Sequence, residues 1–242
     1  MDGPALLLDR RLEAYLARRS GQLSVSATDL ATGRSYTYAP GLRTAAASIV
    51  KADILAALLL RAQRAGRSLN RTERSLAASM IIRSDNRAAS ALFRTIGGAS
   101  GLRTTNERLG LEETVPAAAW GATTTSARDQ VRLMIALTAG TSPLRPGGRK
   151  YGLGLMSRVV AGQDWGVGAA ARAGDAVALK NGWLPRQVDG GCWTINSVGR
   201  VRGTGRDLLI GIVSRRNSSM SAGITTVEHV ARTVADALGE VG

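Results

Sequence analysis

Three short segments carry residue types suited to activating a hydroxyl: Ser48-Ile49-Val50-Lys51, Ser84-Asp85-Asn86 and Lys180-Asn181-Gly182. A serine hydroxyl is a poor nucleophile until a neighbouring base takes its proton. A lysine amine can be that base only where burial or a second cation lowers its pKa. Arginine, by contrast, does not deprotonate near neutral pH. The chain has 29 arginines and only three lysines, and two of those, Lys51 and Lys180, stand in these segments. Lys150 lies outside every motif and reads as a surface cation.

The elements that must position these residues can be read from periodicity. Pro4 followed by Leu8, Leu12, Tyr15 and Leu16 predicts an opening helix to about Arg19. Leu23, Val25 and Ala27 alternate with polar residues, and Ala31-Thr32-Gly33 leads to a second short strand at residues 35–38, a hairpin. Residues 48–65 are apolar without a breaker until Gly66, which predicts a mostly buried helix with Ser48 at its start and Lys51 one turn later on the same face. Helices are predicted over residues 72–83, 86–96 and 126–138, the last opened by Ser126 and Asp129 in a capping-box-like pair. Residues 111–125 lack periodicity and read as a long loop, the kind that often carries function.

A short helix is expected after Gly147-Gly148. Strands follow at residues 176–180, 193–201 and 208–214, with Lys180-Asn181-Gly182 a turn at the end of the first. Val227, Val230, Val234 and Leu238 then share one face of a closing helix. The fold class is thus an α/β (α+β) sandwich. An antiparallel sheet of about five strands is built from both chain ends and flanked by helices, with an all-α subdomain inserted. The 242 residues read as one domain, an α/β subdomain of residues 1–47 plus 165–242 and an all-α subdomain of residues 48–164.

Bulk composition excludes several function classes. A net charge of +14 favours acidic partners. The arginines are nevertheless spread along the chain without interleaved aromatics for base stacking, so no nucleic-acid partner is expected. One cysteine, Cys192, forbids an intrachain disulfide and reads as a small buried residue. With one histidine besides, no metal site is expected. His229 falls on the polar side of the last helix and reads as solvated, which also excludes a Ser-His-Asp triad. No secretory signal or membrane span is present, so the chain is expected to be cytoplasmic, or secreted if a leader was removed, and monomeric.

The order and element types of the three motifs resemble those of the penicillin-recognising serine enzymes, specifically the class A β-lactamase-like branch. The resemblance implies an active site in the groove between the two subdomains, an acyl-serine intermediate and no cofactor. It implies Ser48 as nucleophile, Lys51 as its base, Lys180 as electrostatic partner and Ser84 as bridge between the two lysines and donor to the leaving group. Asn86, Asn181, Gly182 and Trp183 are implied on the substrate side, Asn86 also holding Lys51. The backbones of Ser48 and Trp183 would supply the two N–H donors for the oxyanion. Asp85 reads as a cap.

Three departures narrow the reading. Class A enzymes carry a loop glutamate that activates water to clear the acyl group. Residues 115–125 contain no acid, and nothing in the spacing brings Glu112 or Glu113 to the groove. Asn181 stands where a hydroxyl residue is usual, with no arginine on the strand around Cys192 and only Arg186 nearby in the loop. Only 32 residues separate Lys51 from Ser84, which predicts a trimmed helical subdomain and a more open groove. The expectation is a serine hydrolase or acyltransferase acting on an amide, ester or lactam carbonyl of a small-molecule acyl substrate, and a poor β-lactamase. Its rivals are an amide-forming biosynthetic transacylase with an amine acceptor, a non-catalytic β-lactam sensor, and electrostatic binding to a nucleic acid or cell-wall polyanion.

Overall fold

The computed structural model describes residues 3–239. Helix α1 (Pro4–Leu16) leads into the hairpin β1 (Gln22–Asp29) and β2 (Ser35–Tyr38). Near the far end of the chain come β5 (Ala176–Pro185), β6 (Trp193–Gly203), β7 (Arg206–Arg215) and the closing helix α8 (Met220–Gly239). These form one antiparallel five-stranded sheet in the order β2-β1-β7-β6-β5, so the first strands pair with the last through β1 and β7. Between them lie α2 (Val50–Arg64), α3 (Arg71–Ile82), α4 (Asn86–Thr95), α5 (Gly98–Leu109), α6 (Ala127–Thr138) and α7 (Pro146–Met156). A two-stranded ladder, β3 (Thr44–Ala45) with β4 (Thr124–Thr125), closes the base of the loop ahead of α6.

The sheet is covered on both faces because its strands alternate between two cores. Val198, Leu209 and Val213 pack with α2, α6 and α7, whereas Val201, Ile210 and Ile212 pack with α1 and α8. Aliphatic side chains dominate both cores, as the scarcity of aromatics requires.

Five expectations need revision. Residues 98–109 form α5, which was not anticipated, and the helix at 146–156 contains Gly147-Gly148 rather than following them. Lys180-Asn181-Gly182 lies in the middle of β5, not in a turn ending it. His229 stacks on Tyr15 with ring centroids 3.7 Å apart, so it ties α8 to α1. Cys192 is half-buried, not a core residue.

One buried ion pair ties the β6–β7 turn to the segment entering β5. Arg206 is 5% exposed, and its Nη2 donates to Asp175 Oδ2 at 2.5 Å and to the Ala170 carbonyl at 2.5 Å. Asp175 in turn accepts from the Arg172 N–H, and both partners hold its carboxyl below the usual carboxylate range. Removing the acid alone strands a guanidinium in the interior, which is more damaging than removing both charges. We expect Asp175→Ala to destabilise the fold by about 3 kcal/mol and the Asp175→Ala/Arg206→Met pair by less, measured by urea unfolding.

Candidate active site

Ser48 sits in a tight 3-10 turn, Ala47–Ile49, that runs directly into α2. The turn is held in a conformation it would not adopt unaided, since Ala47 has φ +50°, in the left-handed region. Three contacts impose it. The Ala46 N–H donates to the Thr123 carbonyl at 2.7 Å, tying the turn to the loop before β4. Asn196 on β6 is fully buried, and its Nδ2 donates to the carbonyls of Ala45 at 2.8 Å and Ala46 at 3.2 Å. Asn196 Oδ1 accepts from the Ser214 N–H at 3.1 Å, which anchors it to β7. From the third side the middle of β5 presses against the turn at Gly182. A Cβ there would lie 2.6 Å from Ser48 N, 2.7 Å from Ile49 N and 2.9 Å from Ala46 O. A glycine is therefore required at 182 by close backbone approach, not by a turn.

Lys51 and Lys180 are both fully buried and rank among the largest side chains removed from solvent. Lys51 Nζ donates to the Ser84 carbonyl at 2.6 Å, to Ser84 Oγ at 3.0 Å and to Asn86 Oδ1 at 2.7 Å. Ser84 can offer both oxygens to one amine because it lies between α3 and α4 with φ +57°. Asp85 caps α4 by accepting from the Ala88 N–H at 2.6 Å, which fixes the turn carrying Ser84 and Asn86. The Trp120 ring covers the same amine, its centroid 5.0 Å from Nζ. Lys180 Nζ donates to the Asn181 carbonyl at 2.9 Å.

Burial lowers the pKa of Lys51 to about 8, against a partial counter-effect from the Asp85 carboxylate. Lys180 is lowered to about 7, first by burial and then by repulsion from Lys51. The two amines therefore titrate as a pair, and near neutrality the groove favours one cation beside one neutral amine. Lys51, with three acceptors and an aromatic face, holds its proton more firmly than Lys180. Among the described residues Ser84 Oγ makes no hydrogen bond to Lys180, and Ser48 Oγ none to Lys51.

Asn181 faces away from Lys180 along the strand. It is 1% exposed, and its Nδ2 donates to the carbonyls of Gln163 at 2.9 Å and Trp165 at 2.8 Å. It thereby clamps the chain before β5, where Trp165 meets Trp183 edge to face at 5.9 Å. Glu113 pairs with Arg43 and accepts from Ser126 Oγ at 2.5 Å, while Glu112 pairs with Arg132 at 2.8 Å. Neither acid hydrogen-bonds to a motif residue. Arg216 on the loop after β7 pairs with Asp189 beside Arg186. Sequence reasoning missed Asn196 and Trp120. An asparagine in the interior of a strand, where that residue is disfavoured, was the available signal for the first, and the only aromatic of the long loop for the second.

A family model described as the β-lactamase enzyme family matches residues 7–74 and 71–238, and the chain belongs to that family. Its fold is shared by class A β-lactamases of known structure. The TLA-1 extended-spectrum β-lactamase superposes with a TM-score of 0.88 at 16% identity, covering 98% of this chain and 100% of that one. A class A β-lactamase from Bacteroides cellulosilyticus DSM 14838 gives 0.85 at 16% identity and 99% coverage of both chains. A variant of the last common ancestor of the Gram-negative class A enzymes gives 0.84 at 22% identity, over 96% of this chain and 98% of that one. No curated protein matches the chain by sequence.

Two outcomes follow from the site geometry. Gly182→Ala should push β5 off the Ser48 turn and lower the rate of Ser48 acylation by about 100-fold, an effect on the order of a misplaced catalytic group. Acylation at the wild-type rate in a folded variant would show that the approach is not needed. Stability should also depend on pH. Both lysines ordinarily titrate near 10.5 and are lowered in the fold, so between about pH 7 and 10 the unfolded chain binds more protons. Stability therefore rises across that window, and the full penalty of burying the cations is felt below it. Lys180→Met should flatten the rise in urea-unfolding free energy.

Proposed function

We propose that the chain is a serine acyl-enzyme hydrolase or acyltransferase acting on an amide, ester or lactam carbonyl, with Ser48 as the nucleophile. The observation that carries this reading is the pair of fully buried lysines beside the Ser48 turn, in a chain that uses arginine for nearly all other positive charge. Ser48 Oγ attacks the carbonyl carbon while its proton passes to the Lys51 amine. Ser84 Oγ, 3.0 Å from that amine, hands a proton on to the leaving atom, and the Ser48 ester remains. The backbone N–H groups of Ser48 and Trp183 receive the developing oxyanion. A negatively charged substrate group beside Lys180 would favour its cation and, by repulsion, release the proton of Lys51. The charge exchange would thus be set in motion by the substrate itself.

The engagement of Glu112 and Glu113 by arginines supports slow clearance by water, and so a poor β-lactamase. It equally favours the second reading, in which an amine acceptor takes the acyl group and an amide forms. Product partition with an activated ester at high amine concentration separates the two, and absence of amide product excludes the transacylase. A β-lactam adduct that never clears, with no turnover of any ester, would leave a sensor.

Incubation with a penicillin should add the whole mass of the drug to Ser48, since the lactam ring opens without losing an atom. Ser48→Ala should abolish the adduct. The acylation rate should rise as pH passes through about 8, where Lys51 loses its proton. Lys51→Arg should lower it by about 1,000-fold, within the range of a lost general base. Lys150→Arg should leave it unchanged. An adduct mapped to another residue would overturn the reading.

A further inference from the structure

The loop of residues 115–124 does two things at once. Its neck is closed by Val115 and Thr124, whose backbones exchange hydrogen bonds of 2.9 and 3.1 Å. Inside that neck, Thr123 accepts from the Ala46 N–H and so holds the Ser48 turn. Three residues earlier, Trp120 lays its ring over the Lys51 amine, and its Nε1 donates to Ser90 Oγ on α4 at 3.1 Å. The tight turn Trp120–Ala122 is itself braced by the Ala122 N–H on the Ala119 carbonyl at 2.8 Å and by the Thr123 N–H on the Trp120 carbonyl at 3.1 Å. The indole is therefore fixed at both its backbone and its ring nitrogen.

The consequence for the amine is enclosure. Three hydrogen-bonding directions of Lys51 Nζ are filled by Ser84 O, Ser84 Oγ and Asn86 Oδ1, and the indole face closes the approach above it. Lys51 has no exposed surface. Clearing an acyl-serine with water requires that water lose a proton as it attacks the ester carbon, the Ser48 oxygen then leaving and regaining a proton. The loop carries no acid to accept the first proton. Lys51 and Lys180 are the buried bases at the site, and neither exposes any surface for a water molecule to touch.

We propose that Trp120 is a specificity-determining residue that withholds Lys51 from water, so that the acyl group on Ser48 survives until an acceptor other than water arrives. The indole's cover over the amine decides the second half of the reaction. Acylation moves its proton through hydroxyls, from Ser48 and by way of Ser84, and needs no water at the amine. An acceptor amine must also shed a proton as it attacks, and its substituent lets the groove hold it against Ser84 Oγ, which passes that proton on to Lys51; water has no such hold and needs the Lys51 amine itself within reach. The inference rests on the acyl-serine reading above.

The test separates loading from release. Wild type, Trp120→Ala, Trp120→Phe and Ser90→Ala are each incubated with a penicillin, and the gain and loss of the Ser48 adduct are followed by intact mass beside thermal unfolding of each variant. The loading rate of each of the three variants is the reference against which its release is read. Release should be about 100-fold faster in Trp120→Ala, the low end of what an accessible general base contributes. It should rise with pH to about 8 and level off once Lys51 is deprotonated, whereas hydroxide entering through a merely loosened loop would keep raising it about tenfold per pH unit. Trp120→Phe keeps a ring over the amine and should release slowly, while Ser90→Ala frees the indole and should release at an intermediate rate. Wild-type release from a folded Trp120→Ala overturns the proposal, as does Trp120→Phe releasing as fast as Trp120→Ala. If Trp120→Ala does not fold, wild-type release from Ser90→Ala overturns it. Failure of wild type to form any adduct on Ser48 overturns the acyl-serine reading itself, and this inference with it.

Discussion

Two amines enclosed in one groove cannot both be charged without heavy penalty, and the surrounding architecture is arranged around that constraint. A buried ammonium has lost its hydration and needs acceptors in its place. Lys51 has them, from a serine turned into a left-handed conformation and an asparagine at the start of α4, with an aromatic face besides. Lys180, in the middle of an edge strand, has one backbone carbonyl. The asymmetry gives the pair a resting charge distribution that an arriving anion can change. The same enclosure keeps solvent from levelling it.

The backbone around Ser48 shows how such a site is held. Two residues other than glycine, Ala47 and Ser84, occupy left-handed conformations at the two turns that carry the serine hydroxyls. Each such conformation costs about 1 kcal/mol or more and persists only where the surroundings over-determine it. Here the determinants come from separate parts of the chain: Asn196 from β6, Thr123 from the loop before β4, Gly182 from β5 and the Asp85 cap on α4. The strain is thus spread over contacts distant in sequence, and the turn inherits the rigidity of the sheet.

Much of this was legible in the sequence, and the failures have physical causes. The three motifs, the sheet built from both chain ends and the opening, α2 and α6 helices follow from periodicity and composition. Helix α5 was hidden by its glycines, yet Gly101 is there because a Cβ would collide with the Ile96 carbonyl where α4 turns into α5. The Lys-Asn-Gly segment looked like a strand end because glycine is common in turns, whereas Gly182 lies in mid-strand to let β5 touch the Ser48 turn. His229 looked solvated beside charged neighbours, but its partner, Tyr15, lies at the other end of the chain. Asn196 and Trp120 act through residues about 150 and 70 positions away, and no local pattern carries that information.

The near-total replacement of lysine by arginine also makes the site unusually open to spectroscopy. With isotopically labelled lysine, a protein with three lysines gives three side-chain signals. One would come from the exposed Lys150 as a reference, and two from the buried pair. Because those two titrate against each other, their chemical shifts would report the passage of a single proton between them with almost no background. In a protein of ordinary composition the same exchange would be lost among many surface lysines.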